Sequence, residues 1–264
     1  MKLGIFDSGL GGLMIAEAIN RHLDAVDTVY LGDTLHLPYG NRSEDTIYEC
    51  TRAAMEFLLG AQDCRLVIVA CNTASAAALR RLQQEWLPVH YPERRILGVV
   101  VPTLEAALER GARYIGLIGT NYIVRSEIYP QELRKINPAI RFEQQATPLL
   151  VPLIEHEGTP WLDSVLAHYL APLLAQKIET LILGCTHYVC LKETIRTQTG
   201  LDVISQDEII PLKLEDYLRR HPEIDRDLDR EGRRDFYVTD LTDNYVKSAQ
   251  YIYGAPIDIR RAVL

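Results

Sequence analysis

Short aliphatic runs that stop abruptly at a small polar cluster, alternating with longer segments of helical period, restrict this chain to a narrow set of folds. Leu66-Val67-Ile68-Val69-Ala70 runs into Cys71-Asn72-Thr73, and Leu181-Ile182-Leu183 runs into Gly184-Cys185-Thr186-His187. Runs without polar alternation fit strands covered on both faces, as in a parallel sheet joined by crossover helices. Strands are predicted over 3–6, 28–31, 66–70, 96–101, 114–118, 180–183, 202–204 and 236–238. Over 43–61, Ile47, Cys50, Ala54, Phe57, Leu58 and Ala61 share one helix face. The expected class is α/β, with 219–235 as the most loop-like and charge-dense region.

The runs also repeat. Asp7-Ser8 and Gly119-Thr120, Asp33-Thr34 and Ala146-Thr147, and the two cysteines recur in the same order, with Ser8 to Thr120, Thr34 to Thr147 and Cys71 to Cys185 spanning 112, 113 and 114 residues. Two repeats are too few for a solenoid, so the spacing predicts two similar α/β domains with parallel sheets, related by pseudo-symmetry and facing each other.

Composition narrows the partners. Against 28 basic residues stand 36 acidic ones, a net charge of −8, which opposes non-specific nucleic-acid or acidic-lipid binding. Asp7 interrupts the first apolar run too early for a signal peptide, and no run reaches the roughly 18 residues of a membrane helix, so a cytoplasmic location is expected. Cys50, Cys64, Cys71, Cys185 and Cys190 are odd in number and lack CxxC spacing, so reduced thiols rather than a disulfide framework or zinc ribbon are expected. Cys50 and Cys64 read as core thiols and Cys190 as a helix-face residue.

Ligands of open parallel sheets bind beyond the carboxyl ends of the strands. Asp7-Ser8, Asp33-Thr34, Cys71-Asn72-Thr73, Thr120-Asn121 and Cys185-Thr186-His187 all fall there. Facing halves would hold a ligand between two thiols, one on each side. That suits inversion of a stereocentre, which needs a base on one face and an acid on the other. Asp7 and His187 are the groups placed to relay or orient those protons. A hydrolase with Cys185 as a nucleophile activated by His187 is a competing reading, as is a two-domain amino-acid sensor without turnover. Gly9-Leu10-Gly11-Gly12 misses the G-x-G-x-x-G dinucleotide spacing, and no lysine follows an apolar strand as a pyridoxal Schiff base would require. Neither cofactor nor metal is expected.

Phe6-Asp7-Ser8-Gly9-Leu10-Gly11-Gly12, Pro38-Tyr39-Gly40, Ala70-Cys71-Asn72-Thr73-Ala74-Ser75 and Gly184-Cys185-Thr186-His187-Tyr188 together resemble the glutamate racemases, of the cofactor-independent aspartate/glutamate racemase family. Val151-Pro152-Leu153-Ile154-Glu155 and Phe236-Tyr237-Val238-Thr239-Asp240 are weaker matches. The resemblance implies domains of 1–97 plus 208–264 and of 98–207, with the site between them. It assigns Cys71 and Cys185 to proton transfer and Asp7 and His187 to assisting them. Ser8, Pro38, Tyr39, Gly40, Asn72, Thr73, Thr120 and Thr186 become substrate contacts. It further implies glutamate as the small-molecule substrate, D-glutamate for peptidoglycan as the product, and a homodimer as an assembly it allows. Departures from the family pattern are Val189-Cys190 in place of proline, 98–103 without the usual Pro-Gly, Ile204-Ser205 in place of Asp-Ser, and Thr147 where cysteine is common. Thr147 bears on the substrate's side chain, so selectivity for glutamate over aspartate is the open point.

Overall fold

The structure, a computed structural model, describes residues 1–156 and 158–264. Its ten strands are β1 (Lys2–Asp7), β2 (Thr28–Gly32), β3 (Cys64–Val69), β4 (Arg95–Gly98), β5 (Tyr114–Gly119), β6 (Arg141–Ala146), β7 (Thr180–Gly184), β8 (Asp202–Ile204), β9 (Arg234–Val238) and β10 (Ile259–Arg261). They form a six-stranded sheet, ordered β10-β9-β2-β1-β3-β4, and a four-stranded sheet, ordered β6-β5-β7-β8. Every pairing is parallel.

Reading β2-β1-β3-β4 against β6-β5-β7-β8 gives the same order twice, and the strands that correspond are the ones whose ends recur in the sequence. Asp7 ends β1 as Gly119 ends β5, while Cys71 follows β3 as Cys185 follows β7. The expected pair of similar parallel α/β units is what the chain forms. The C-terminal segment then returns to the first sheet, where β9 aligns Tyr30 with Phe236 and extends the edge beyond β2.

Continuous aliphatic runs are needed because both faces of each central strand are covered. Val67 and Val69 of β3 enter one core cluster, whereas Leu66 and Ile68 enter the cluster on the opposite face. In β7, Leu181 and Leu183 point one way and Ile182 the other. All of these side chains are essentially inaccessible, and burial of each contributes about 1.5–3 kcal/mol.

Several boundaries differ from the sequence reading. Of 96–101, only the start is strand, since β4 ends at Gly98 and the helix Val100–Glu109 begins where the valines were expected to continue extended. The run 66–70 begins earlier, at Cys64, and ends at Val69. The strands β6 and β10 were not foreseen: Arg-Phe-Glu-Gln-Gln-Ala lies on an edge with alternate residues exposed, and carries no aliphatic run. The region 219–235 is less loop-like than expected, holding the short helix Pro222–Asp225 and the start of β9. The helix foreseen over 43–61 forms as Glu44–Glu56, capped by the Ser43 hydroxyl on the Thr46 N–H, and continues as a wider turn over Phe57–Ala61.

Candidate active site

A cavity of about 370 Å³ opens at the carboxyl ends of both sheets and is lined by Cys71 from one and Cys185 from the other. Around the thiols stand Ser8, Pro38, Tyr39, Gly40, Asn72, Thr73, Thr120, Thr186 and His187, so eleven of the twelve residues expected from the sequence face one space. The exception is Asp7, which is wholly buried behind the wall and reaches it through the Thr186 hydroxyl, 3.2 Å from Asp7 Oδ2. A second cavity, of about 340 Å³, lies between the helices Asn72–Arg81, Val100–Glu109 and Gln206–Arg220 and contains neither thiol.

Cys71 is the residue at which β3 gives way to the helix Asn72–Arg81. Its Sγ caps that helix by accepting the Ala74 N–H at 3.5 Å and lies 3.3 Å from the Ser8 hydroxyl. A helix N-terminus favours a thiolate. Burial wins, however, and together with the nearby Asp7 charge pushes the Cys71 thiol up to about 12, against the pull of Ser8 and the Ala74 N–H. Cys71 therefore stands as a protonated thiol at neutral pH.

Cys185 follows β7 in extended backbone, before the turn Thr186–Leu191. Its Sγ is 3.7 Å from Nδ1 of His187, whose Nε2 in turn meets Glu155 Oε1 at 2.8 Å. Burial works against the charged imidazole, yet the bonds to Cys185 and Glu155 outweigh it and raise its pKa well above the ordinary histidine value. Glu155 moves the opposite way. Its burial is overcome by the His187 bond and charge, and its pKa falls. The pair is thus an imidazolium facing a carboxylate, in contact with the second thiol.

Asp7 differs again. Burial raises its carboxyl to about 6, against the His187 charge and hydrogen bonds from Gly9, Thr186 and Gly12. It is a buried carboxylate that exchanges its proton near neutrality, next to the thiol that holds its own tightly.

The two strand-end clusters meet with little space between them. A Cβ on Gly11 would fall 2.4 Å from the Thr186 hydroxyl and 2.6 Å from the His187 backbone nitrogen. The glycine pattern is therefore a requirement for close approach of the two units rather than a dinucleotide loop.

The sequence reading missed part of this site. Glu155 appeared only inside a weak apolar motif, and its place beside His187 depends on how the helix Leu150–Glu155 crosses the cavity mouth. Thr147, which the sequence did single out, lines the cavity and shares a 2.6 Å hydroxyl contact with Tyr188, whose place in the wall was not foreseen, and Val151 and Pro152 supply apolar lining. Cys190, expected on a helix face, sits in the turn after β7 with its sulfur 3.1 Å from the His187 carbonyl. Asp33, at the end of β2, accepts hydrogen bonds from Tyr39 and Thr239 at 2.6 and 2.7 Å and so supports the loop that carries Pro38 and Gly40.

Twin parallel sheets that set one thiol from each on a shared cavity are found here in an amino-acid racemase, an isomerase, as its relatives show. The family model for Asp/Glu/hydantoin racemases matches residues 12–209, and the chain belongs to that family. Over 240 residues it is 39% identical to a glutamate racemase of Dinoroseobacter shibae, covering 85% of this chain and 86% of that protein. A glutamate racemase of Geobacter metallireducens is 36% identical, with 97% of this chain and 93% of that one covered. Among solved structures, a glutamate racemase isoform of Bacillus anthracis superposes with a TM-score of 0.89 at 30% identity, covering 100% and 97% of the two chains. The glutamate racemase of Francisella tularensis, solved with D-glutamate, gives 0.88 at 27% identity, covering 99% and 97%.

Proposed function

We propose that this chain interconverts L- and D-glutamate by proton transfer at the α-carbon, using Cys71 and Cys185 as acid and base on opposite faces. The observation that carries the proposal is the presence of both thiols, one from each sheet, in one cavity. In one direction the Cα–H bond breaks toward the thiolate of one cysteine, forming S–H. The electron pair is delocalised into the α-carboxyl group, and the S–H bond of the other cysteine breaks to make a new Cα–H bond on the opposite face. The two sulfurs end with exchanged protonation, so the same pair runs the reverse reaction.

The surrounding groups divide this work. On the Cys71 side, Asp7 is the buried carboxylate whose charge acts on the thiol and which changes protonation near neutrality, its Oδ1 held by the Gly9 N–H while Ser8 meets the sulfur. On the other side, His187, held by Glu155, meets the Cys185 sulfur at 3.7 Å and orients it. Short hydrogen-bonding side chains at Ser8, Asn72, Thr73, Thr120 and Thr186 suit a zwitterionic substrate with two carboxylates. The relatives' names support glutamate, and the structure of the Francisella protein with D-glutamate supports it further. In this reading the domains are 1–97 plus 208–264 and 98–207, a division that the membership of the two sheets supports. D-glutamate made in the cytoplasm would then serve peptidoglycan synthesis. Among the described residues, no helix is long and apolar enough to cross a membrane.

The test is incubation with L-glutamate in heavy water. The expected result is D-glutamate carrying deuterium at the α-carbon, with Cys71→Ala and Cys185→Ala each losing inversion by at least about a thousandfold. Inversion near the parent rate in either variant would refute the two-thiol assignment.

A further inference from the structure

Behind Cys71 lies a polar network that no step above uses. Asn72 Oδ1 accepts hydrogen bonds from Tyr129 Oη at 2.6 Å and from Gln206 Nε2 at 2.7 Å, while Asn72 Nδ2 donates to Gln206 Oε1 at 2.8 Å. The three side chains are almost entirely inaccessible, at 2%, 0% and 1% exposure for Asn72, Tyr129 and Gln206. They come from three elements: Asn72 opens the helix after β3, Tyr129 lies in the helix Ile128–Ile136, and Gln206 opens the helix after β8. Asn72 lines the cavity, whereas neither Gln206 nor Tyr129 does.

An asparagine amide facing a ligand can present its carbonyl or its N–H₂, and the two ends differ little in shape. Here the choice is made by the network. Two donors converge on Oδ1, and the reciprocal amide pair with Gln206 uses one Nδ2 hydrogen, leaving the other without a partner among the described residues. Flipping Asn72 alone would set its N–H₂ against that of Gln206 and oxygen against oxygen in a buried place, a penalty of about 1–3 kcal/mol for each unsatisfied group, so the orientation of Asn72 is locked to that of Gln206.

We infer that Gln206 is a positioning residue, which with Tyr129 fixes the Asn72 amide so that the cavity meets an N–H donor matched to a substrate carboxylate. Gln206 touches no reacting atom and acts through Asn72. The same bonds tie the turn bearing Cys71 to the helix Ile128–Ile136, packed on the other sheet, and to the helix Gln206–Arg220, which packs against the cores of both units. The inference rests on the proposed glutamate racemase activity, because it takes a carboxylate as the group that Asn72 meets.

A double-mutant cycle between Gln206 and Asn72 tests it, with Gln206→Met as the variant of similar volume. Gln206→Met is expected to raise KM for glutamate about tenfold while kcat changes less than about threefold, since a binding donor rather than a proton-transfer group is lost. In an Asn72→Ala background, adding Gln206→Met is expected to cost less than about twofold more. Tyr129→Phe, which removes one of two donors to Oδ1, is the milder second variant and is expected to shift KM in the same direction. Penalties that multiply in the double mutant, or a parent-like KM in Gln206→Met, would overturn the assignment. Failure of the parent chain to racemise glutamate would instead overturn the functional reading. Independently of turnover, the Asn72 side-chain N–H₂ signals, followed by nitrogen NMR, should be protected from exchange in the parent and lose protection in Gln206→Met. Equal protection in both would also overturn the inference.

Discussion

Replacing Asp7 by asparagine isolates a single titration and makes its energetic sign measurable. The carboxyl has an ordinary value of 3.8 and, wholly buried in the fold, about 6. Because the folded value lies above the unfolded one, the stability associated with the protonated acid is fully present below 3.8 and is lost as pH rises through about 6. At 1.36 kcal/mol per unit, the full loss is about 3 kcal/mol, of which about 2 falls between pH 4 and pH 7.5. The asparagine variant lacks this term, while the other ionisable groups are common to both proteins and cancel in the difference. With a urea m-value of about 3 kcal/mol/M, the unfolding midpoint of the parent should fall relative to that of Asp7→Asn by about 0.7 M across that range. The assay is a series of urea titrations of both proteins at half-unit steps of pH, followed by far-ultraviolet circular dichroism. A midpoint difference that stays flat, or that moves in the parent's favour as pH rises, would refute the claim that Asp7 is held ionised at a cost near neutrality. In the proposed reaction, the same cost would let Asp7 change protonation near neutrality while the thiol beside it holds its proton.

Other expectations can be checked alongside. Glu155→Gln removes the carboxylate that helps lift the His187 pKa, so the imidazolium should be lost at lower pH and the alkaline limb of the rate profile should move down by at least about one unit; an unmoved limb would show that Glu155 does not control that proton. Gly11→Ala places a methyl against Thr186 and the His187 backbone, and overpacking of this kind costs about 1–3 kcal/mol, or roughly 2–10 °C in melting temperature, with activity falling further than stability. Gly9→Ala is the contrast, because its methyl would meet only the flexible end of Leu37, at 3.1 Å, and it should retain most activity. Equal losses in the two alanine variants would argue against the tight meeting of the strand ends.

Much of this protein could be read from local pattern. The continuous aliphatic runs at 66–70 and 180–183 are buried on both faces, and that alone demands parallel strands flanked by helices. Because ligand groups of such sheets collect at the carboxyl ends, the residues after those runs could be named as the site, down to Ser8, Thr120 and Thr186. The near-constant repeat spacing carried the second unit, whereas its strand order emerged only in the fold. The edge strands were illegible for a physical reason: β6 and β10 are stabilised by backbone pairing to a neighbour and bury none of their side chains fully, so their sequences need no apolar run. Likewise, Val99-Val100-Val101 has strand propensity but lies where the chain must leave β4, and packing of Val100 and Leu104 against the second sheet's core makes it helical.

The positions of the thiols along the chain, and their place at strand ends, were therefore decided by sequence alone. Their chemistry was not. That Cys71 is held protonated, that His187 is charged by a glutamate 32 residues away, and that Asn72 shows a donor to the cavity all depend on which groups are brought into a water-poor space together. Desolvation and charge pairing act through distance in three dimensions, and only the packing of one sheet against the other sets those distances.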